Sequence, residues 1–268
     1  MRKEFLVAVS LSMIALDRGS RVSWKLLRKD LATSWPVIPP PEDVRKEENT
    51  LSFDVGHMSI AMGMMPGPMP TDTWSAPQRQ TWIWPEAAER LADHRSHLIV
   101  TAIGDATMLE QSKLLTMVTA SLVRTVGKPA GVLWGENGLL ISPDTFCSMA
   151  EETLPGDSPF PLWLSVFLGR NEDGTTVGFT RGMEVFDLMD FVTENATDSP
   201  AELSERFYGL ADYLVEHGPV IEDGHTIGED SDERIEVRYC DSPFGHENRV
   251  MRLDFHPRSG RSPFRSRA

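Results

Sequence analysis

The sequence has few cysteines, no membrane-length hydrophobic run and a shortage of basic charge. Cys147 and Cys240 are its two cysteines, too few for a disulfide framework and without the spacing of a metal site. No apolar run reaches the roughly 18 residues that a membrane-spanning helix needs. We therefore expect a cytoplasmic protein that makes no contact with membranes.

Acidic residues outnumber basic residues by 40 to 26, which gives a formal charge of −14. A chain with this charge repels nucleic acids and anionic lipids and suits a basic partner. Residues 249–268 are the exception, because six arginines face one aspartate there and the local charge is +5. We predict that residues 257–268 form a flexible basic tail, solvated or folded back on the acidic body, with at most weak contact to nucleic acid.

The N-terminus has two interpretations. The first three residues carry two basic side chains ahead of the apolar stretch Phe5–Leu16, a pattern that a short signal peptide also shows. Ser10 and Ser12 interrupt that stretch, and no A-x-A cleavage site follows. A buried first strand over residues 5–11 is therefore the favoured interpretation.

Apolar periodicity in the first half predicts an α+β fold. In chain order the predicted elements are strand 5–11, helix 23–32, strands 50–55 and 57–64, helix 86–92 and strand 97–103. The order βαββαβ is that of the ferredoxin-like arrangement, an antiparallel sheet with helices packed on one face. Four prolines and the charged run Glu42–Glu48 predict a surface loop between the first helix and the second strand.

Local start and stop signals organise the second half. Thr107 with Glu110, and Ser199 with Glu202, have the spacing of capping boxes that open helices. Asn137-Gly138 predicts a hairpin turn between strands 132–134 and 139–141, and Ser142 begins another helix. Further strands are predicted at 162–169, 175–181, 235–240 and 249–255. We expect an α+β half over 1–104, a second half over 105–256 packed on it, and the tail.

Several segments resemble the bacterial group known as domain of unknown function 4261. They are Leu31–Pro36, Trp82–Ala87, His94–Val100, Gly224–Gly228 and Tyr239–Pro243. After Phe186 the family usually continues with a glycine and a proline–glutamate pair, where this chain has Asp187 and Met189-Asp190. The resemblance implies a protein without an established activity, from gene neighbourhoods of secretion and toxin-defence systems. It favours binding over catalysis.

Motifs of the common enzyme classes are missing from the sequence: it has no P-loop, no G-x-G-x-x-G after a strand, no G-x-S-x-G and no H-E-x-x-H. We therefore expect no cofactor.

His94 and His97 could share a metal, but a zinc site needs further ligands, and histidines that cap local carbonyls are the favoured interpretation. The methionine run 58–65 alternates large and small residues, which favours a buried strand face over a copper site.

Two surface features are candidates for binding. Trp82 and Trp84 share one face of an extended stretch and could form an aromatic platform, although large aromatic residues are more often core. The acidic loop 222–233 holds Gly224, His225, Thr226 and Gly228 among six carboxylates, and could attract a basic partner or remain a solvated loop.

These features predict a non-enzymatic protein-binding module, associated with immunity or secretion, whose partner is another and possibly basic protein. The alternative is a hydrolase or transferase that uses His225 as general base with Asp223 or Asp230.

Overall fold

Two mostly antiparallel sheets with helices packed against them make up the described part of the chain, so the α+β prediction is confirmed. The computed structural model describes residues 10–74, 84–135, 138–228 and 233–256. The chain divides into two compact units, Met1–Ser165 and Val166–Ala268. In the described ranges no helix has the length and apolar character needed to cross a membrane.

The first unit contains a seven-stranded sheet with the strand order β2-β3-β4-β5-β1-β6-β7. Its strands are β1 (Ser10–Leu16), β2 (Glu42–Lys46), β3 (Thr50–Val55), β4 (Met58–Met65), β5 (Ser96–Gly104), β6 (Pro129–Trp134) and β7 (Leu139–Ile141). Its helices are α1 (Trp24–Ser34), α2 (Thr71–Trp74), α3 (Ala87–Leu91), α4 (Met108–Thr125), α5 (Pro143–Thr153) and α6 (Phe160–Trp163).

The ferredoxin-like arrangement is present, but with different elements from those predicted. The strands predicted to form it lie in the order β3-β4-β5-β1, which is not the ferredoxin order. The elements β1, α1, β4, β5, α4 and β6 do have that order, β4-β5-β1-β6, and α1 and α4 pack against each other. The arrangement therefore extends to Trp134. The unit boundary lies after Ser165 rather than after residue 104, because β6 and β7 join the same sheet.

The first strand extends beyond its predicted end at residue 11. The described strand is Ser10–Leu16, and residues 5–9 of the predicted strand 5–11 lie outside the described residues. The serines that interrupt the apolar pattern are buried against α4, where Ser12 Oγ is 2.7 Å from Thr119 Oγ1 and Ser10 Oγ is 3.4 Å from Ser112 Oγ. Serines are accommodated in this core because α4 supplies hydrogen-bond partners for their hydroxyls.

Helix α4 is the centre of the first unit. Both hydrogen bonds of the predicted capping box between Thr107 and Glu110 are formed. Two indole N–H groups donate to its hydroxyls, from Trp35 to Ser121 at 3.0 Å and from Trp163 to Thr116 at 2.9 Å. Hydrogen-bonded buried hydroxyls fix how its neighbours pack.

Two segments differ from their predicted structure. The predicted loop 42–48 contains β2, whose residues are all exposed at the edge of the sheet. Its charges, the bulge in its pairing with β3 and the positive φ of Asp43 are features that protect an edge strand from further pairing. Residues 162 and 163, predicted as strand, end the short helix α6.

The second unit contains a six-stranded sheet with the order β11-β12-β13-β10-β9-β8, in which β10 and β13 are parallel. Its elements are β8 (Ser165–Arg170), β9 (Thr176–Arg181), a 3₁₀ helix (Met183–Phe186), β10 (Phe191–Ala196), α7 (Pro200–His217), β11 (Thr226–Ile227), β12 (Arg234–Cys240) and β13 (Val250–His256). The first residue of β8 lies at the unit boundary.

Helix α7 covers one face of this sheet. Ser199 and Glu202 form the predicted capping box, and the ring of Phe207 stacks on Phe191 at 5.9 Å. Strand alternation places Arg252 on the other face. There Arg252 pairs with Glu194 and Asp254, and Arg238 pairs with Glu236. One face is thus core, and the other carries these ion pairs beside the stacked rings of Phe167, Phe179 and Phe244.

Candidate functional site

The loop of residues 222–228, which we call the His225 loop, is bound to β12 by backbone hydrogen bonds. Gly224 N–H donates to Val237 O and Val237 N–H donates to His225 O, both at 2.8 Å. The Asp223 carboxylate accepts the Tyr239 N–H at 2.6 Å. Asp230 lies outside the described residues.

His225 is half exposed and is not hydrogen-bonded to Asp223, the one described residue of the two aspartates predicted to assist it. Its Nδ1 accepts the Glu222 N–H at 3.1 Å, so the neutral ring carries its proton on Nε2, which lies 3.7 Å from the Glu222 carboxylate. Asp223 is occupied by Tyr239 instead. A general base needs an orienting partner and a shielded substrate position, and among the described residues no carboxylate is hydrogen-bonded to His225.

Both glycines of the His225 loop have structural reasons to be glycine. Gly224 has a φ of +84°, which side chains of L-residues rarely adopt. A Cβ on Gly228 would lie 2.5 Å from the carbonyl oxygen of Glu233. Thr226, between them, is exposed and pairs with Glu236 in the β11–β12 ladder.

His94 and His97 are buried and hydrogen-bonded to backbone; His94 caps a local carbonyl as predicted, whereas the carbonyl that His97 contacts belongs to a distant residue. His94 Nδ1 donates to Leu91 O at 2.5 Å, and its Nε2 accepts the Met69 N–H at 2.7 Å. His97 Nδ1 is 2.9 Å from Gly67 O. Both rings hold the segment 67–69 against the sheet. In the described ranges, no group of three or more His, Cys, Asp or Glu side chains could hold a metal.

We predict that His97 makes the protein less stable in mild acid. Burial lowers the pKa of His97, and a lesser lowering comes from His94. In mild acid the His97 ring therefore binds a proton more readily in the unfolded chain than in the folded chain. The free energy of unfolding falls as the pH drops below about 6.5. Urea unfolding followed by tryptophan fluorescence between pH 7.5 and about pH 5 should show a weaker pH dependence for His97→Gln than for the exposed control His217→Gln. Equal pH dependence in the two variants would contradict this assignment.

Trp84 packs into a small core of the first unit. It is half buried beside Ala15, Leu91 and Leu133, and a Cβ on Gly131 would lie 3.0 Å from its ring. Trp82, its predicted companion in an aromatic platform, lies outside the described residues. Its packing gives Trp84 a structural role in the first unit.

The methionine run of β4 and the Cys147 thiol are also structural. Ile60 and Met62 of β4 are buried while Ser59 and Ala61 are exposed, which confirms the predicted core face. Burial raises the pKa of the Cys147 thiol to about 11. Cys147 is therefore protonated at neutral pH and is a poor nucleophile.

Sequence reasoning missed a buried polar network in the second unit. Asp190 is 4% exposed, and its Oδ1 accepts the Thr180 hydroxyl at 2.8 Å and the Met183 N–H at 3.2 Å. Burial raises the pKa of Asp190, and the Thr180 hydroxyl is the largest influence that lowers it. His246 Nε2 donates to the Thr180 carbonyl at 2.7 Å, so Nδ1 accepts the Ser242 hydroxyl at 2.6 Å.

One local signal for this network was available in the sequence. Ser242 belongs to the segment Tyr239–Pro243 that carries the family resemblance, and His246 follows four residues later. Asp190 lies 56 positions before His246. It is one of the residues at which this chain departs from the family pattern. No local spacing connects Asp190 with His246, because the sheet brings them together.

The network and the His225 loop lie in the same stretch of the chain as a family match. Residues 173–254 match the family described as Domain of unknown function (DUF4261). The predicted resemblance is confirmed over these residues. The DUF4261 match includes Gly224–Gly228 and Tyr239–Pro243, whereas the three resembling segments before residue 173 lie outside it. A search of curated proteins found no match to the chain.

Proposed function

We propose that this chain is a non-enzymatic protein-binding module whose second unit recognises a basic surface on another protein. The main support for this proposal is the distribution of formal charge along the chain. Residues 166–256 contain 21 acidic and 7 basic side chains, so their formal charge of −14 equals that of the whole chain. Such a concentration of one sign speeds and orients association with a surface of the opposite sign.

A groove on α7 offers such a partner a place to bind. It has a volume of about 700 Å³ and lies between α7 and the β11–β12 segment. We call it the acidic groove; it is lined by Asp198, Glu202, Glu205, Arg206, Gly209, Leu210, Tyr213, Ile227, Gly228 and Glu233. Arg206 pairs with Asp198 and Glu233, which leaves Glu202 and Glu205 as the exposed charges. Tyr213, 45% exposed, adds an aromatic ring that attracts cations.

The state of the two cysteines fits a cytoplasmic location for this module. Cys147 and Cys240 are free thiols, which is typical of proteins from a reducing compartment such as the cytoplasm. The open geometry of the His225 loop supports binding over hydrolysis or group transfer.

Affinity capture with matched charge variants tests the proposal. Glu205→Lys/Glu216→Lys changes exposed residues of α7, and Glu152→Lys/Asp157→Lys makes the same charge change in the first unit. We expect a basic protein captured by the unmodified chain and by the first-unit variant to bind the α7 variant at least about tenfold more weakly once purified, because like charges then face each other.

His225→Ala serves as a second arm. The proposal expects partner affinity to stay within about twofold of the unmodified chain, since His225 lies on the loop and not in the acidic groove. Equal binding of the α7 and first-unit charge variants, or a partner without basic charge, would overturn the proposal.

A further inference from the structure

A second cavity in the same unit shares no lining residue with the acidic groove. It has a volume of about 340 Å³ and lies where residues 184–190 meet the end of α7 and the start of β13. This volume is within the range of small-molecule sites. Its apolar wall consists of Leu188, Met189, Leu214, Pro219, Val250 and Met251.

A buried carboxylate with one poorly satisfied oxygen lines this cavity. Asp190 Oδ1 accepts two hydrogen bonds, from Thr180 and Met183. The nearest donor to Oδ2 among the described residues is the Gly182 N–H, at 3.4 Å. Good N–H···O bonds are 2.7–3.2 Å long. A buried carboxylate oxygen whose recorded donor is as distant as 3.4 Å favours a cation or a strong donor beside it.

The other charged groups of the cavity also indicate a positively charged ligand. Glu184 and Asp187 add two carboxylates to its lining, and the guanidinium group of Arg249 donates to the Tyr239 carbonyl. His246 is held by Thr180 and Ser242. The lining is therefore net negative. A metal ion is not the favoured cation, because the described residues hold no metal-binding group and the walls are apolar.

We propose that this cavity binds a small organic cation, a primary ammonium or guanidinium group on a short apolar stem. The cationic group lies against Asp190 Oδ2 and the stem lies against Met189, Met251 and Leu214. A free amine and a lysine or arginine side chain share this chemistry.

Methionine methyl NMR on the full chain tests the site directly. With ¹³C-methyl methionine labelling, isoamylamine at millimolar concentrations should shift the Met189 and Met251 signals. The signals of Met62 and Met64, which lie in the first unit, should not move. Isoamyl alcohol has the same stem and still carries an O–H donor, but it lacks the positive charge and should bind at least about tenfold more weakly, because charge-assisted hydrogen bonds are much the stronger ones.

Two variants keep the proposal open to refutation. Asp190→Asn removes the carboxyl group proposed to contact the cation and should weaken isoamylamine binding at least about tenfold. If that variant folds poorly, Asp187→Asn removes an exposed charge at the same cavity and should weaken binding by a smaller factor, while Glu172→Gln on the β8–β9 turn should have no effect. Equal shifts with amine and alcohol, or no shift of Met189 and Met251 with the amine, would overturn the site.

A peptide pair distinguishes the two sources of the cation. Acetyl-Ala-Ala-Lys-Ala-Ala-amide should shift the same two methionine signals if the ligand is a side chain of another protein, and the norleucine analogue should not. Amine binding without peptide binding assigns the site to a free amine. Either result supports the cavity as a cation site. The acidic groove is tested separately, by the charge variants of α7.

Discussion

Replacing Arg206 with methionine should lower the free energy of unfolding of the second unit by about 3–5 kcal/mol. Arg206 Nε lies 2.6 Å from Asp198 Oδ2, and its Nη2 lies 2.9 Å from Glu233 Oε1. The three side chains are 14%, 11% and 7% exposed. Removing the cation takes the Arg206 charge away from two largely buried carboxylates, and the cost of their desolvated charge is the cause of the loss.

The aromatic residues separate the two units in this measurement. All three tyrosines lie in the second unit and all seven tryptophans lie in the first. ¹⁹F NMR of 3-fluorotyrosine therefore follows urea unfolding of the second unit, and tryptophan fluorescence follows the first. Arg90→Met is the matched control, because the Arg90–Asp17 pair is more exposed and should contribute less than about 1 kcal/mol.

A triple variant checks the cause of the Arg206 effect. Asp198→Asn and Glu233→Gln added to Arg206→Met remove the uncompensated charges and should recover a large part of the lost stability. A loss below about 1 kcal/mol for Arg206→Met, or no recovery in the triple variant, would show that this network does not hold the second unit together.

Features decided by a few neighbouring residues were predictable from the sequence. Thr107 and Ser199 open helices because a hydroxyl and a glutamate three positions later satisfy free backbone N–H groups. The alternation along β4 likewise shows its buried face without knowledge of its neighbours. In both cases the stabilising contacts lie within one element.

Features decided by distant pairing were not predictable. The ferredoxin-like elements could not be identified because nothing in β5 itself says that it lies between β4 and β1. β2 forms because β3 supplies hydrogen-bond partners, which overcomes the charged composition of Glu42–Lys46. Strand propensity depends strongly on such context.

The candidate site shows the same division. Glycine is the residue type that tight turns favour, and Gly224 of the His225 loop has the positive φ that such a turn needs. Thr180 and His246, in contrast, are 66 positions apart and meet through a backbone carbonyl. The acceptor is a backbone carbonyl, which every residue has. The residue type at position 180 therefore does not predict this contact.

Asp190→Ala should destabilise the second unit by about 3 kcal/mol or more, because it leaves three buried donors without an acceptor. These donors are the Thr180 hydroxyl and the N–H groups of Gly182 and Met183. Asp190→Asn keeps an oxygen for two of them and should lose less. The ¹⁹F signals of the tyrosines measure both variants in urea. A loss for Asp190→Ala no larger than for Asp190→Asn would contradict the role of the three donors.

The pH dependence of Asp190 gives a test with a defined sign. Burial raises its folded pKa above the ordinary value, so the stabilising contribution of the carboxyl group is complete below about pH 4 and is lost as the pH rises through the folded pKa. Asp190→Asn cannot ionise. The free energy of unfolding of the unmodified chain minus that of Asp190→Asn should therefore fall with rising pH. A difference that rises instead would mean that the three donors outweigh burial and that Asp190 is held as a stabilised anion.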